Sequence, residues 1–135
     1  MHAETLKSLE FDHIIEAVRS FAATPLGATA LNKMSPLADR QLVKSALSET
    51  TDCVRFLKTN GSFGLDGPSD LLDTLSVLAI NNRLLDVHQL QGLATFLDSL
   101  DKARTSINSA TGAPYPSLQS IAARISSFEK EVRDI

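Results

Sequence analysis

The side chains able to do chemistry in this chain are few and scattered. They are His2, His13 and His88, the single Cys53, the carboxylates Glu10, Asp12, Glu16 and Glu49, and a stretch from Asn60 to Pro68 that holds three glycines. A metal centre needs several nitrogen, sulfur or oxygen ligands converging at short spacings. The three histidines are far apart and have no such companions, so they read as surface or half-buried side chains. Phosphotransfer is a rival role for a histidine in a helical bundle of this size, but neither His13 nor His88 is followed by the lysine and glycine of such modules. A cysteine nucleophile needs a base or a helix N-terminus to lower its pKa. Cys53 falls in the middle of a helical stretch, on the inner face, and reads as a small hydrophobe. Glu10, Asp12 and Glu16 share a face only in part, capping accounts for Asp12, and Glu49 reads as solvated. Gly61, Gly64 and Gly67 fit neither GxGxxG nor GxxxxGK[ST], with no strand before them and no lysine after, so they mark a connector. Stacking on single-stranded nucleic acid requires exposed rings among basic residues. Phe11, Phe21, Phe56, Phe96 and Phe128 fall on apolar stripes, and only Tyr115 reads as free. The expectation is therefore no catalytic, cofactor-binding or metal-binding residue, with any nucleic-acid-binding residue unassigned.

The elements that would have to position such a site are all helical. Asp12 is the expected N-cap of a helix over about 12–22, in which Ile14, Ile15, Val18, Phe21 and Ala22 form one stripe, with Phe11 stapled onto Ile15 or the stem of Glu16. Thr24-Pro25 ends it and opens a second helix to about residue 34, because a residue before proline leaves helical dihedrals while proline suits the first helical position. After Ser35-Pro36-Leu37, Asp39 begins a third helix to about Lys58, with Val43, Ala46, Leu47, Thr50, Cys53, Val54 and Leu57 expected inside and Asn60-Gly61 as the stop. A short fourth helix comes after Pro68-Ser69-Asp70 and stops at Asn81-Asn82. Asp86 caps a long fifth to about Ile107. The last helix is expected to run unbroken from Ser117 through Leu118, Ile121, Ile125, Phe128, Val132 and Ile135, a clean packing seam. Its lack of a cap leads to the expectation of a polypeptide that continues past Ile135. Mobile loops are expected at about 60–68 and 108–116. The fold class is all-α, an irregular antiparallel bundle of five or six helices forming one domain over residues 1–135.

Composition sets the outer bounds. Of the 135 residues, 43% are apolar and 21% charged, and the formal charge is −3. Those values are ordinary for a globular protein. An acidic balance argues against nucleic-acid binding by this chain alone, since gripping phosphates takes clustered Lys and Arg. One cysteine excludes an internal disulfide and fits a reducing compartment. The opening residues lack a signal peptide's basic and apolar segments, and no stretch reaches the roughly 20 apolar residues that span a bilayer. The expected location is cytoplasmic.

Thr5-Leu6, Leu9-Glu10-Phe11-Asp12, Thr24-Pro25-Leu26-Gly27, Pro36 and Glu49-Thr50, in that order and near the start, resemble the opening of a MutS-family protein. The likeness is to the bacterial MutS-two branch, the Smr-domain endonuclease paralogues, and it covers residues 5–60 best. The resemblance implies the first half of a core or lever domain, between a nucleic-acid clamp and a homodimeric ABC-type ATPase that binds ATP and magnesium. It further implies that DNA or stalled ribosomes are reached through the rest of that polypeptide, whose roles are mismatch repair, recombination suppression and ribosome rescue. The matched residues are a cap, a corner and a helix face, so no active residue carries over. The competing expectation is a stand-alone helical protein–protein interaction module that docks a partner on its last helix. The coding sequence beyond Ile135 separates the two.

Overall fold

The computed structural model describes residues 9–112 and 114–135. Among these the fold is all-α: seven helices and no strand. They are α1 (Phe11–Arg19), α2 (Pro25–Asn32), α3 (Arg40–Asn60), α4 (Leu71–Leu78), α5 (Val87–Asn108), α6 (Pro116–Ala122) and α7 (Glu129–Asp134).

Local chemistry sets most of the boundaries. Thr24 Oγ1 accepts the Gly27 N–H at 3.1 Å with Pro25 behind it, giving the tight corner between α1 and α2. Asp39 Oδ1 accepts from the backbone of both Gln41 and Leu42, and Gly61 ends α3 at φ 81°, a conformation glycine adopts freely. A reciprocal capping box between Asp86 and Gln89 starts α5. The start of α1 differs from the expected one. Glu10, in the left-handed region at φ 50°, occupies the cap position, and Asp12 lies inside the first turn, where its charge suits the helix dipole without capping. Phe11 is thus the first helical residue rather than a staple preceding the cap. Beyond Arg19 and Asn32, two successive i→i−3 bonds in each case carry the chain to Ala22 and Met34.

The expected unbroken last helix is two helices. Around Arg124 and Ile125 the backbone reverts to i→i−3 turns, and the Phe128 N–H is taken by Asp101 Oδ2 of α5 at 2.8 Å. Both α6 and α7 contact α5, and the break lets each do so. That split carries the helix count past five or six.

The helices join in series. The contacts run α1–α2, α2–α4, α4–α5, α5–α6 and α5–α7, and α3 reaches the others through α6. The main core cluster joins Phe56, Ile107, Tyr115, Leu118 and Ala122, with Cys53, Phe63 and Ala110 against it. Phe56 stacks on Phe63 at 4.6 Å and meets the Tyr115 ring edge-on at 5.6 Å. Tyr115, expected to be free, is therefore core, whereas Phe21, expected to be core, is 87% exposed. On α3 the buried residues are Asp52 and Phe56, and Leu47, Val54 and Leu57 of the expected inner face are exposed.

The connector from Asn60 to Pro68 uses its glycines in two ways. Gly61 and Gly64 have positive φ, while a Cβ on Gly67 would lie 3.2 Å from Phe96 Cδ2. Gly92 on α5 is more constrained, since an added Cβ would be 2.9 Å from Pro68 Cγ, part of a rigid ring. Overpacking of this kind costs about 1–3 kcal/mol, against the ~1 kcal/mol that alanine gains over glycine in a helix. Gly92→Ala is expected to lower stability by about 1 kcal/mol in urea unfolding. A variant more stable than the parent contradicts that contact.

Candidate functional site

Two aspartates do the most specific work in the molecule. Asp52 is 4% exposed, and its Oδ2 accepts the Ser117 N–H at 3.0 Å across 65 residues of chain. Ser117 lies in the first turn of α6, where backbone amides lack helical partners, so Asp52 caps a helix other than its own. Its Oδ1 is 3.6 Å from Arg55 Nη1, and the Arg55 guanidinium sits 5.5 Å from the centroid of the Tyr115 ring. Asp101 repeats the device on α5: Oδ2 takes the Phe128 N–H at the cap position of α7, and Oδ1 is 3.1 Å from Arg104 Nη2. Both pairs have one pattern, aspartate with arginine three residues on, which puts the two on neighbouring positions of one helix face.

A third polar knot ties the end of α3 to the loop before α6. Asn60 Oδ1 accepts from the backbone N–H and the hydroxyl of Thr111, and Asn60 Nδ2 donates to Tyr115 Oη, which donates to the Thr111 carbonyl.

The residues weighed for chemistry are dispersed. His13 and His88 are exposed, at 3.9 Å from Glu10 Oε2 and 3.6 Å from Asp70 Oδ2. His2 lies outside the described residues. Cys53 is half-buried against the core cluster. Burial pushes its thiol pKa up, and the neighbouring charges of Asp52 and Glu49 push the same way, so it holds less thiolate than a free cysteine at any given pH. Among the described residues no three His, Cys, Asp or Glu side chains group to hold a metal, and no helix is long and apolar enough to cross a membrane. A groove between α5 and α7 carries Asp98, Asp101 and Glu129 with Lys102 and Arg133, both signs within one wall, and so presents no single-sign field to a charged ligand. A second, apolar groove lies between Phe11, Met34, Leu37 and the Val43–Leu47 stretch of α3. What this arrangement does physically is fix helix against helix.

Comparison with known proteins bears on the role of such a scaffold. The chain is 30% identical over 124 residues to endonuclease MutS2 of Clostridioides difficile, covering 90% of this chain and 16% of that protein. Against endonuclease MutS2 of Ruminiclostridium cellulolyticum it is 31% identical over 108 residues, 80% of this chain and 14% of the other. Against that of Acetivibrio thermocellus it is 36% identical over 80 residues, 59% and 10%. This chain is a MutS2-related segment. It spans about a sixth or less of the MutS2 relatives it matches. No protein-family model matches it, and no solved structure does.

The residues that matter most in this MutS2-related segment escape a reading of the sequence. Asp52 and Asp101 are hidden because a charged residue inside an apolar rhythm reads as an interruption, as Arg104 does on α5. The available signal is the repeated aspartate-to-arginine spacing, Asp52–Arg55 and Asp101–Arg104. Removing Asp52 takes away a trans cap and leaves the half-buried Ser117 amide without its partner, together worth about 2 kcal/mol. Asp52→Ala is therefore expected to lower the urea midpoint accordingly, and an unchanged midpoint contradicts the cap. Cys53 is expected to react with iodoacetamide more slowly at pH 8 than a free thiol. Asp52→Asn, which removes a nearby negative charge, is expected to speed it. Equal rates in parent and variant would rule out the charge contribution.

Proposed function

We propose that this chain is a non-catalytic helical segment of a MutS-type ATPase, a lever that couples the state of an ATPase domain to a nucleic-acid clamp. The observation that carries the reading is the similarity to MutS2 endonucleases, which extends over 90% of this chain in one relative. The fold supports it: α3 and α5, of 21 and 22 residues, are each roughly 32 Å long, and such helices move as stiff units between packed interfaces. On this reading ATP and magnesium, the endonuclease activity and the contacts to DNA or to a stalled ribosome belong to other parts of a homodimeric polypeptide in the bacterial cytoplasm. The partners of this segment are then the clamp and ATPase domains of its own chain.

The exposed apolar side chains of α1 and α3 favour a second reading, a self-contained helical module that captures a partner protein. It differs in requiring no ATP dependence.

Leu97→Gly in the full-length protein tests the lever. Glycine loosens the middle of α5 by about 1 kcal/mol of helix propensity and removes a half-buried side chain. The expected outcome is ATP hydrolysis within about twofold of the parent, with at least a several-fold loss in how far ATP shifts nucleic-acid affinity. Binding that stays fully ATP-responsive contradicts the lever, and a partner-binding activity indifferent to ATP favours the module.

A further inference from the structure

We infer that α7 is a releasable strap: docked on α5 its first turn is capped in trans by Asp101, and released it is capped by its own Ser126. The docked cap is foreign to the segment. Phe128 occupies the cap position of α7, where its side chain can accept nothing, and its N–H goes instead to Asp101 Oδ2 of α5 at 2.8 Å. Yet Ser126-Ser127-Phe128-Glu129 has the S-x-x-E spacing of a capping box. With Ser126 as the cap, the helix starts at Ser127, and the Phe128 and Glu129 amides become the donors that Ser126 Oγ can accept from. Phe128, at φ −114° and ψ 12°, lies in the bridge region beside the helical one, so little rotation there completes the extra turn. Docking therefore exchanges a local cap for a distant one.

Little else holds α7 down. Among the described residues it comes close to α5 and to no other helix, and none of its own residues is buried. Phe128 and Val132 are half-buried. Among the described residues no ion pair joins the two helices: Lys102 pairs with Asp98 at 2.6 Å and Arg104 with Asp101 at 3.1 Å, both within α5. Release does not orphan Asp101. Arg104 stays beside it, and the two side chains are 27% and 13% exposed, so no charge is left buried and unpaired. The preceding helix is held differently, since Leu118 and Ala122 of α6 lie in the main core cluster and Asp52 caps its first turn. Release therefore stops at the i→i−3 turns around Arg124 and Ile125. An element with so few buried contacts opens locally, well below the free energy of global unfolding.

Amide hydrogen exchange in the full-length protein, read on peptides from α5, α6 and α7, tests the strap. In the parent the α7 amides are expected to exchange at a rate insensitive to urea below the unfolding transition, while those of α5 quicken steeply. Asp101→Ala is expected to speed α7 exchange about tenfold, the loss of one hydrogen bond to a charged group, with α5 and α6 unchanged. Ser126→Ala alone is expected to leave α7 within about twofold of the parent, and in the Asp101→Ala background to speed it about fivefold more, the effect of one cap. An α7 as protected in Asp101→Ala as in the parent overturns the inference. Loss of protection that extends through α5 and α6 does so too, as does a urea dependence of α7 that matches α5. If Ser126→Ala has the same effect in both backgrounds, the two caps do not alternate and the inference fails.

Discussion

The position of α3 depends on one carboxylate. Among the described residues the backbone of α3 comes close to that of α6 and to no other helix, and the bond that sets their register is Asp52 accepting the Ser117 amide. The Phe56, Phe63 and Tyr115 rings pack into the core cluster that joins α3 to the α6 region, and the bond, made to a carboxylate only 4% exposed, is charge-assisted. Closing a loop of 65 residues costs conformational entropy, and a lone cap does not offset it. The cap chooses the register while the aromatic cluster supplies the apolar burial. Asp101 does the same at smaller scale for α7, and the two aspartates make α5 and α3 the elements on which the C-terminal third is hung.

A serial arrangement of helices leaves much surface uncovered. The uncovered apolar surface of the described residues falls on recognisable faces. Ile14, Val18 and Phe21 on α1 and just beyond its end, and Leu42, Leu47, Val54 and Leu57 on α3, are apolar at helical spacing and exposed. Faces of that kind are what the scaffold role proposed above requires.

Legibility from sequence tracks the range of the interaction. The Thr24-Pro25 corner, the Asp39 and Asp86 caps and the Gly61 stop are decided by residues within one helical turn, and each is readable. The all-α class comes from the same local signals. The features that escape depend on distant partners. The apolar rhythm of Leu118 to Ile135 is continuous in the sequence, yet Asp101 withdraws the Phe128 amide and the helix breaks. Tyr115 sits in a polar loop and reads as exposed, but Asn60 and Arg55 hold it in the core. On α3 the most apolar stripe reads as the inner face, although the face that α6 covers is the one bearing Asp52 and Phe56. The two trans-capping aspartates are hidden for the same reason, since their partners lie 65 and 27 residues away. The chain's relationship to MutS2 proteins is legible in the ordered short motifs of its opening stretch, which are structural rather than catalytic.

The most direct test of the central claim, that this is a lever segment of a MutS-type ATPase, is to read the coding sequence downstream of the codon for Ile135. The account predicts continued helical sequence and, further on, a GxxxxGK[ST] phosphate-binding loop. A stop codon directly after Ile135 would contradict it, leaving a small helical protein whose exposed faces await a separate partner.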